Sequence, residues 1–396
     1  MNIQLQSFPK AHSTRRETLP NDPNLSVAMC GVGLGITISM IVFCVGCVPS
    51  PVATLNERSQ EWESTESVAE HAPLELSQRI DRVLTGALEA RTLSADVNAA
   101  WQIMHAVICY GDELEIEAEG EQVAALDYAL AGGFIEGFEL KSSGEMMKAT
   151  GREGVQARFD PGSYIGQGHV DQWLAICAMA KIPMEREIQI DGRTFTIEDW
   201  ARQTQFDVSR NLVDEYSWTL IALTHYFPDE ASWECANDMV VDLESLVAVE
   251  LDYDIDSSAC GGTHRLAGII AALNAKQRMQ LPDSEVWTKA KQVVEERLQN
   301  IQINRNGDGC LSSYYFFRSG ATRDLFAQLS STGHLFEFVA LAAERAQLQE
   351  AWVEQSAHRL CELIEQTAVA DLDCGALYHA LHGLKVYRER RFPSGG

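Results

Sequence analysis

The sequence predicts an all-α domain in which outer helices enclose inner ones, and three observations lead there. The 396 residues are 46% hydrophobic and 22% charged with only 11 prolines, the balance of a folded chain with a large core and not of a collagen-like, coiled-coil or disordered one. After Pro73, apolar residues recur at three- and four-residue spacing in about a dozen segments. Some are apolar on one side only: Val286, Ala290, Val293, Val294 and Leu298 alternate with Lys289, Lys291, Glu295 and Glu296. Others, Trp218 to Phe227 and Leu266 to Leu273, are apolar nearly all round and so should be buried on both sides. Half-buried and fully buried helices together suit two concentric rings, whereas a four-helix bundle uses too little of the chain.

In chain order, residues 1–26 form a leader with Lys10, Arg15 and Arg16 against Glu17 and Asp22; it carries +1 of the net −26, leaving −27 on the rest. Such a surface repels phosphate backbones, so no nucleic-acid partner is expected. Residues 27–48 are almost wholly apolar and long enough to cross a bilayer, and the basic leader on one side with Glu57, Glu61, Glu63 and Glu66 on the other orients the body outward. Val45-Gly46-Cys47 resembles a bacterial lipoprotein signal, making Cys47 the candidate lipidation site. Cys44 departs from that pattern, and an uncleaved anchor is the alternative. Either form places the protein in the cell envelope, tethered to the membrane, with its body extracytoplasmic. Residues 49–73 are polar and acidic, the composition of a flexible tether.

The helical domain covers residues 74–390, followed by a tail, 391–396. Its expected helices are Leu76 to Thr92, Val97 to Tyr110, Gln122 to Leu130, His169 to Lys181, Ile197 to Phe206, Glu215 to Tyr226, Val240 to Leu251, Ala259 to Ala275, Glu285 to Ile301, Gly333 to Leu348, Ala351 to Thr367 and Ala376 to Arg388. Strand signal is confined to short ribbons. Glu187 to Ile190, Asp191-Gly192 and Arg193 to Phe195 read as a hairpin, and Thr196 with Asp199 as a capping box for the helix that follows. Seven cysteines lie in this domain without CxxC spacing, so they read as small hydrophobes.

Three helices share an opening: Gly166-Gln167-Gly168-His169, Gly261-Gly262-Thr263-His264 and Ser331-Thr332-Gly333-His334. If inner helices run the same way, their starts meet at one mouth and the three histidines converge. Cys260 and His264 are four apart, as on one helix face, and zinc accepts thiolate, imidazole and carboxylate, so Asp256, Cys260, His264 and His334 form the candidate metal set. The same residues also suit a polar ligand site without metal, or histidines that bond the loops before their helices. As acid and base groups the candidates are His169 with Asp171, His334 with Glu337, and His264; Glu215, Trp218, Arg265 and Tyr314 are the candidate ligand contacts. Asn304, Asn306, Asp308 and Gly309 follow calcium-loop spacing but lack its two strongest carboxylates, which predicts a Gly-containing turn. P-loop, GxGxxG, HExxH and GxSxG signatures are absent from the sequence.

Trp101-Gln102-Ile103-Met104-His105, Gly166 to Ala175, Glu215 to His225, Ala259 to Leu266, Asn306 to Gly309 and Ser331 to His334 resemble a family of exported proteins from planctomycete-type bacteria. That family is similar to the terpenoid cyclase and protein prenyltransferase superfamily. The resemblance implies an α/α toroid of about twelve helices with short β-hairpin insertions, and a small, apolar or isoprenoid-like ligand in its central cavity. Asp252-Tyr253-Asp254-Ile255-Asp256 lacks the DxDD of squalene-type cyclases, which argues against their reaction. The alternative is a non-catalytic envelope scaffold with a filled centre.

Overall fold

A computed structural model describes residues 75–211 and 215–393, all within one unit, Ala69–Gly396. The leader, the apolar stretch 27–48 with Cys47, and most of the tether lie outside the described residues. None of the described helices is long and apolar enough to cross a membrane.

The described residues are mostly helical, with twelve α-helices. These are α1 (Leu76–Ala90), α2 (Ala100–Tyr110), α3 (Ala125–Leu130), α4 (Gln172–Met179), α5 (Ile197–Asp207), α6 (Ser217–Tyr226), α7 (Leu243–Asp252), α8 (Thr263–Met279), α9 (Glu285–Asn304), α10 (Leu325–Ala342), α11 (Ala351–Gln366) and α12 (Cys374–Arg391). The even-numbered helices touch in a closed cycle: α2 on α4, α4 on α6, α6 on α8, α8 on α10, α10 on α12, and α12 back on α2. Burial follows from composition. In α6 every residue except His225 is buried, whereas α1 buries only Leu76, Ile80 and Val83, and α9 only Trp287, Ala290, Val294 and Ile301. The one-sided helices lie against the cycle: α9 contacts α7, α8 and α10, and α11 contacts α1, α10 and α12.

Glycines set the closest approaches within the cycle. A Cβ at Gly268 of α8 would sit 2.5 Å from Ser217 Cα of α6, one at Gly333 of α10 would be 2.7 Å from Ala380 Cβ of α12, and one at Gly383 of α12 would be 2.9 Å from Glu337 Cα of α10. Backbones meet there because no side chain intervenes.

Short strands punctuate the connections. β1 (Leu93–Ser94) pairs in parallel with β2 (Glu115–Ala118), which forms a hairpin with β3 (Glu121–Ala124). Further antiparallel pairs are β4 (Leu140–Met146) with β5 (Glu153–Ala157), β6 (Glu187–Ile190) with β7 (Arg193–Thr196), and β8 (Ser232–Glu234) with β9 (Val240–Asp242). The expected hairpin and its capping box are present: Asp191 and Gly192 turn with φ of 50° and 72°, and Thr196 and Asp199 cap α5 reciprocally. The expected helix from Gln122 begins only at Ala125, because Glu119 and Gly120, at φ 55° and 83°, turn the preceding residues into a hairpin. The Asn306–Gly309 segment is a turn: Asn306 Nδ2 donates to Gly320 O, Asp308 Oδ1 accepts from Cys310 N, and Gly309 has φ 89°.

Candidate functional site

The site is built on α8, α10, α12 and the turn before α8. Cys260, Gly261 and Gly262 are consecutively left-handed, with φ of 52°, 66° and 81°. A Cβ at Gly261 would lie 2.5 Å from Tyr315 Cγ and one at Gly262 2.3 Å from Ile255 O, so both positions need glycine for space as well as for φ. Cys260 tolerates the same conformation at a cost that L-residues rarely meet. This corrects the sequence argument for Cys260. It does not share a helix face with His264, since α8 starts at Thr263; the left-handed turn brings the two together instead. The ligand atoms of Cys260, His264 and His334 all lie within 4.8 Å of one another.

His334 arrives by a different route from the one expected. It lies in the middle of α10, not at a helix start, because the Asp324 side chain caps the helix at Phe326 and Ala327 and the Ser330-Ser331-Thr332-Gly333 run continues it. Ser331 Oγ donates to Ala327 O within the helix, and Gly333 seats α10 on α12.

Two further histidines complete the cluster. His379 and His382 are one turn apart on α12 and bracket the Glu337 carboxylate, with His379 Nδ1 2.7 Å from Oε2 and His382 Nδ1 2.5 Å from Oε1. Ring centroids of His264, His334 and His379 are separated by 5.8 Å (His264–His334), 4.9 Å (His264–His379) and 4.8 Å (His334–His379). His105 of α2 stands behind His379 at 5.6 Å, with its Nδ1 2.6 Å from Trp101 O. Trp218 of α6 covers His264 at 5.2 Å.

Electrostatics keep His264, His334 and His105 short of protons. Burial, then the neighbouring His379 and His334, push His264 well below the ordinary imidazole value. Burial lowers His334, and burial with His379 takes His105 down to about 3. Burial also raises the Cys260 thiol, which a bound metal ion reverses by taking the thiolate. At Glu337 burial works upward, but the charge interaction with His379 and the hydrogen bonds of His379 and His382 outweigh it and hold the carboxyl below its usual range. Neutral imidazoles are the form that ligates metal.

The space beside these rings is small. Trp218, His264, Glu337, Phe338 and His379 line a cavity of ≈ 10 Å³, about the size of one water. Larger clefts, of ≈ 710 Å³ and ≈ 400 Å³, are lined by α9 with its neighbours and by β5 with α5, away from the histidine cluster.

Other sequence candidates lie elsewhere. His169 precedes α4 and is partly exposed, its Nδ1 3.4 Å from Glu215 Oε2; its ring meets Trp218 at 6.2 Å, so Trp218 stands between it and His264. Asp171 is buried at φ 66° and accepts hydrogen bonds from Thr204 (3.2 Å) and Thr219 (2.7 Å), joining α4 to α5 and α6 rather than facing His169. Glu215 accepts a second bond from Ser217 Oγ. Asp256 is withdrawn from the metal set: its carboxylate pairs with Arg297 at 2.7 Å. Arg265 is buried against Glu250 at 2.9 Å, with Ser258 Oγ at 2.9 Å and the Tyr253 ring at 4.4 Å, a packing role instead of a ligand contact. Tyr314 is 47% exposed under Arg318, while its neighbour Tyr315 turns inward over Gly261. Glu337, expected as an acid–base partner of His334, serves His379 and His382 instead. All seven domain cysteines are unbridged.

His105, His379 and His382 had no place in the candidate set. The signal is present for two of them: His379 and His382 are spaced to share a face within the apolar run Cys374 to Leu384. Comparison with protein-family models, curated proteins and solved structures returns no match.

Proposed function

We propose that this chain is a membrane-tethered, extracytoplasmic α/α toroid that binds one zinc-class metal ion at its inner helices and serves as an envelope scaffold. The observation that carries the metal reading is the convergence of Cys260 Sγ and one nitrogen each of His264 and His334 within 4.8 Å. One thiol with imidazoles is the donor chemistry of zinc and its tetrahedral relatives. His334 adds the expected support, its Nδ1 held 2.7 Å from Ser330 O so that Nε2 is the nitrogen left for a metal. The toroid reading rests on the closed cycle of even-numbered helices with the odd-numbered ones outside. The tether rests on the charge-free stretch from Leu25 to Leu55, basic before and acidic after.

The scaffold reading is preferred to an enzyme with an isoprenoid-sized ligand because such ligands need several hundred Å³ and the space at the cluster is ≈ 10 Å³. Metal analysis of the full-length protein, purified in detergent under native conditions, tests the central claim. One equivalent of zinc is expected, lost in Cys260→Ala and His264→Ala and kept in His225→Gln. Wild-type protein without bound metal after incubation with zinc overturns it.

A further inference from the structure

We infer that His379 is the fourth metal ligand and that Glu337 is its positioning residue, giving a closed set of Cys260, His264, His334 and His379. This rests on the metal reading above and adds the composition and geometry of the site.

Three imidazoles bound through one nitrogen each to a tetrahedral ion place their ring centroids roughly 5 Å apart, since Zn–N is about 2.0–2.1 Å. The observed centroid separations of 4.8, 4.9 and 5.8 Å lie near that spacing; the donor atoms that already converge are those of Cys260, His264 and His334, and a bound ion would draw His379 Nε2 in to join them. Only 2% of His379 is exposed, and its Nε2 is buried without a hydrogen-bond partner; His264 Nε2 is in the same condition. Buried ring nitrogens are rarely left so, and a metal ion satisfies both. The other nitrogen of His379 is committed: with Nδ1–H donating to Glu337 Oε2, Nε2 carries the lone pair. This is the carboxylate–histidine–metal arrangement that fixes tautomer and ring orientation.

Glu337 itself is not a ligand. Both its oxygens are occupied, Oε2 by His379 and Oε1 by His382. Its place is set by Gly383, whose missing side chain lets α12 approach the Glu337 backbone closely enough for both imidazoles to reach the carboxylate. Asp256 is held by Arg297, and His105 lies behind His379 with its Nδ1 on a backbone carbonyl. Neither competes for the fourth position.

The test is Co²⁺ loading of full-length protein in detergent, read by visible d–d absorption and by competition with a chromophoric chelator. Wild type is expected to show the intense bands of a tetrahedral ion with one thiolate. His379→Ala should weaken affinity at least about 10-fold and shift the spectrum to the weaker bands of higher coordination. His379→Cys should restore tetrahedral intensity with a stronger sulfur charge-transfer band, which also shows that the fold is retained. Glu337→Gln should keep one ion per chain and the tetrahedral spectrum while binding about 10- to 100-fold more weakly, with partial rescue by Glu337→Asp. Wild-type protein that binds no Co²⁺ removes the metal reading altogether. Wild-type binding that His379→Ala leaves unchanged in affinity and spectrum overturns this inference alone, and unchanged affinity in Glu337→Gln overturns the role given to the carboxylate.

Discussion

Asp171→Asn should make the domain less sensitive to pH between about 4 and 7. Asp171 is buried between Thr204 and Thr219, and burial first of all, with Asp207 nearby, raises its carboxyl from 3.8 to about 6. In the unfolded chain the group titrates near its ordinary value, so the folded state holds the proton more tightly. The stability this contributes is complete below about pH 4 and is lost as pH rises through about 6; two pKa units correspond to on the order of 3 kcal/mol. Asparagine keeps the shape, tolerates φ 66°, and needs only one threonine hydroxyl to rotate from donor to acceptor. Melting temperatures of wild type and variant, followed by circular dichroism at half-unit steps from pH 4 to 8, give the comparison. The wild type should lose stability relative to the variant across that window, with the difference levelling off above about pH 7. Parallel curves would mean that Asp171 is not desolvated as its burial implies.

Four other outcomes are expected. Gly268→Ala should lower stability by about 1–3 kcal/mol, measured by chemical denaturation, because its Cβ meets Ser217 backbone at 2.5 Å. Arg265→Met should cost about 3–5 kcal/mol in the same assay by removing the buried partner of Glu250. Gly261→Ala, strained at φ 66° and in collision with Tyr315, should displace Cys260 and reduce zinc stoichiometry more than it lowers the melting temperature. Mass spectrometry of the mature N-terminus should find an acylated Cys47, and an intact Met1 would exclude cleavage.

The helices were legible because their signal is local. Periodic burial placed segments such as Glu285 to Ile301 and Ala351 to Thr367 close to α9 and α11, and short-range chemistry at Asp191-Gly192 and Thr196 placed a hairpin and a cap. Ser330 to Gly333 looks like a helix breaker and so predicts a start at Gly333, but α10 begins at Leu325 and packing of Gly333 on α12 keeps the helix intact there. Gln122 to Leu130 carries a helical pattern, which the Glu119-Gly120 turn overrides to form the hairpin of β2 and β3. At the site, Cys260, His264 and His334 were within reach, though the reasons were partly wrong: a left-handed turn and a mid-helix position do the work assigned to a helix face and a helix start. Which residue stands across from them is a matter of tertiary contact. The α10–α12 approach at Gly383 selects His379, and Arg297 takes Asp256 away.

The contact of α12 with α2 joins the last helix of the domain to nearly the first. During synthesis the cycle therefore cannot close until α12 is complete, and until then the apolar faces of the other five cycle helices stand open. The proposed fourth ligand, His379, and the other partner of Glu337, His382, travel on that final helix, so an ion captured earlier would find three of its four ligands. Closure of the cycle is thereby timed to the end of synthesis, and a chain truncated before Cys374 should be degraded by proteases faster than the full chain.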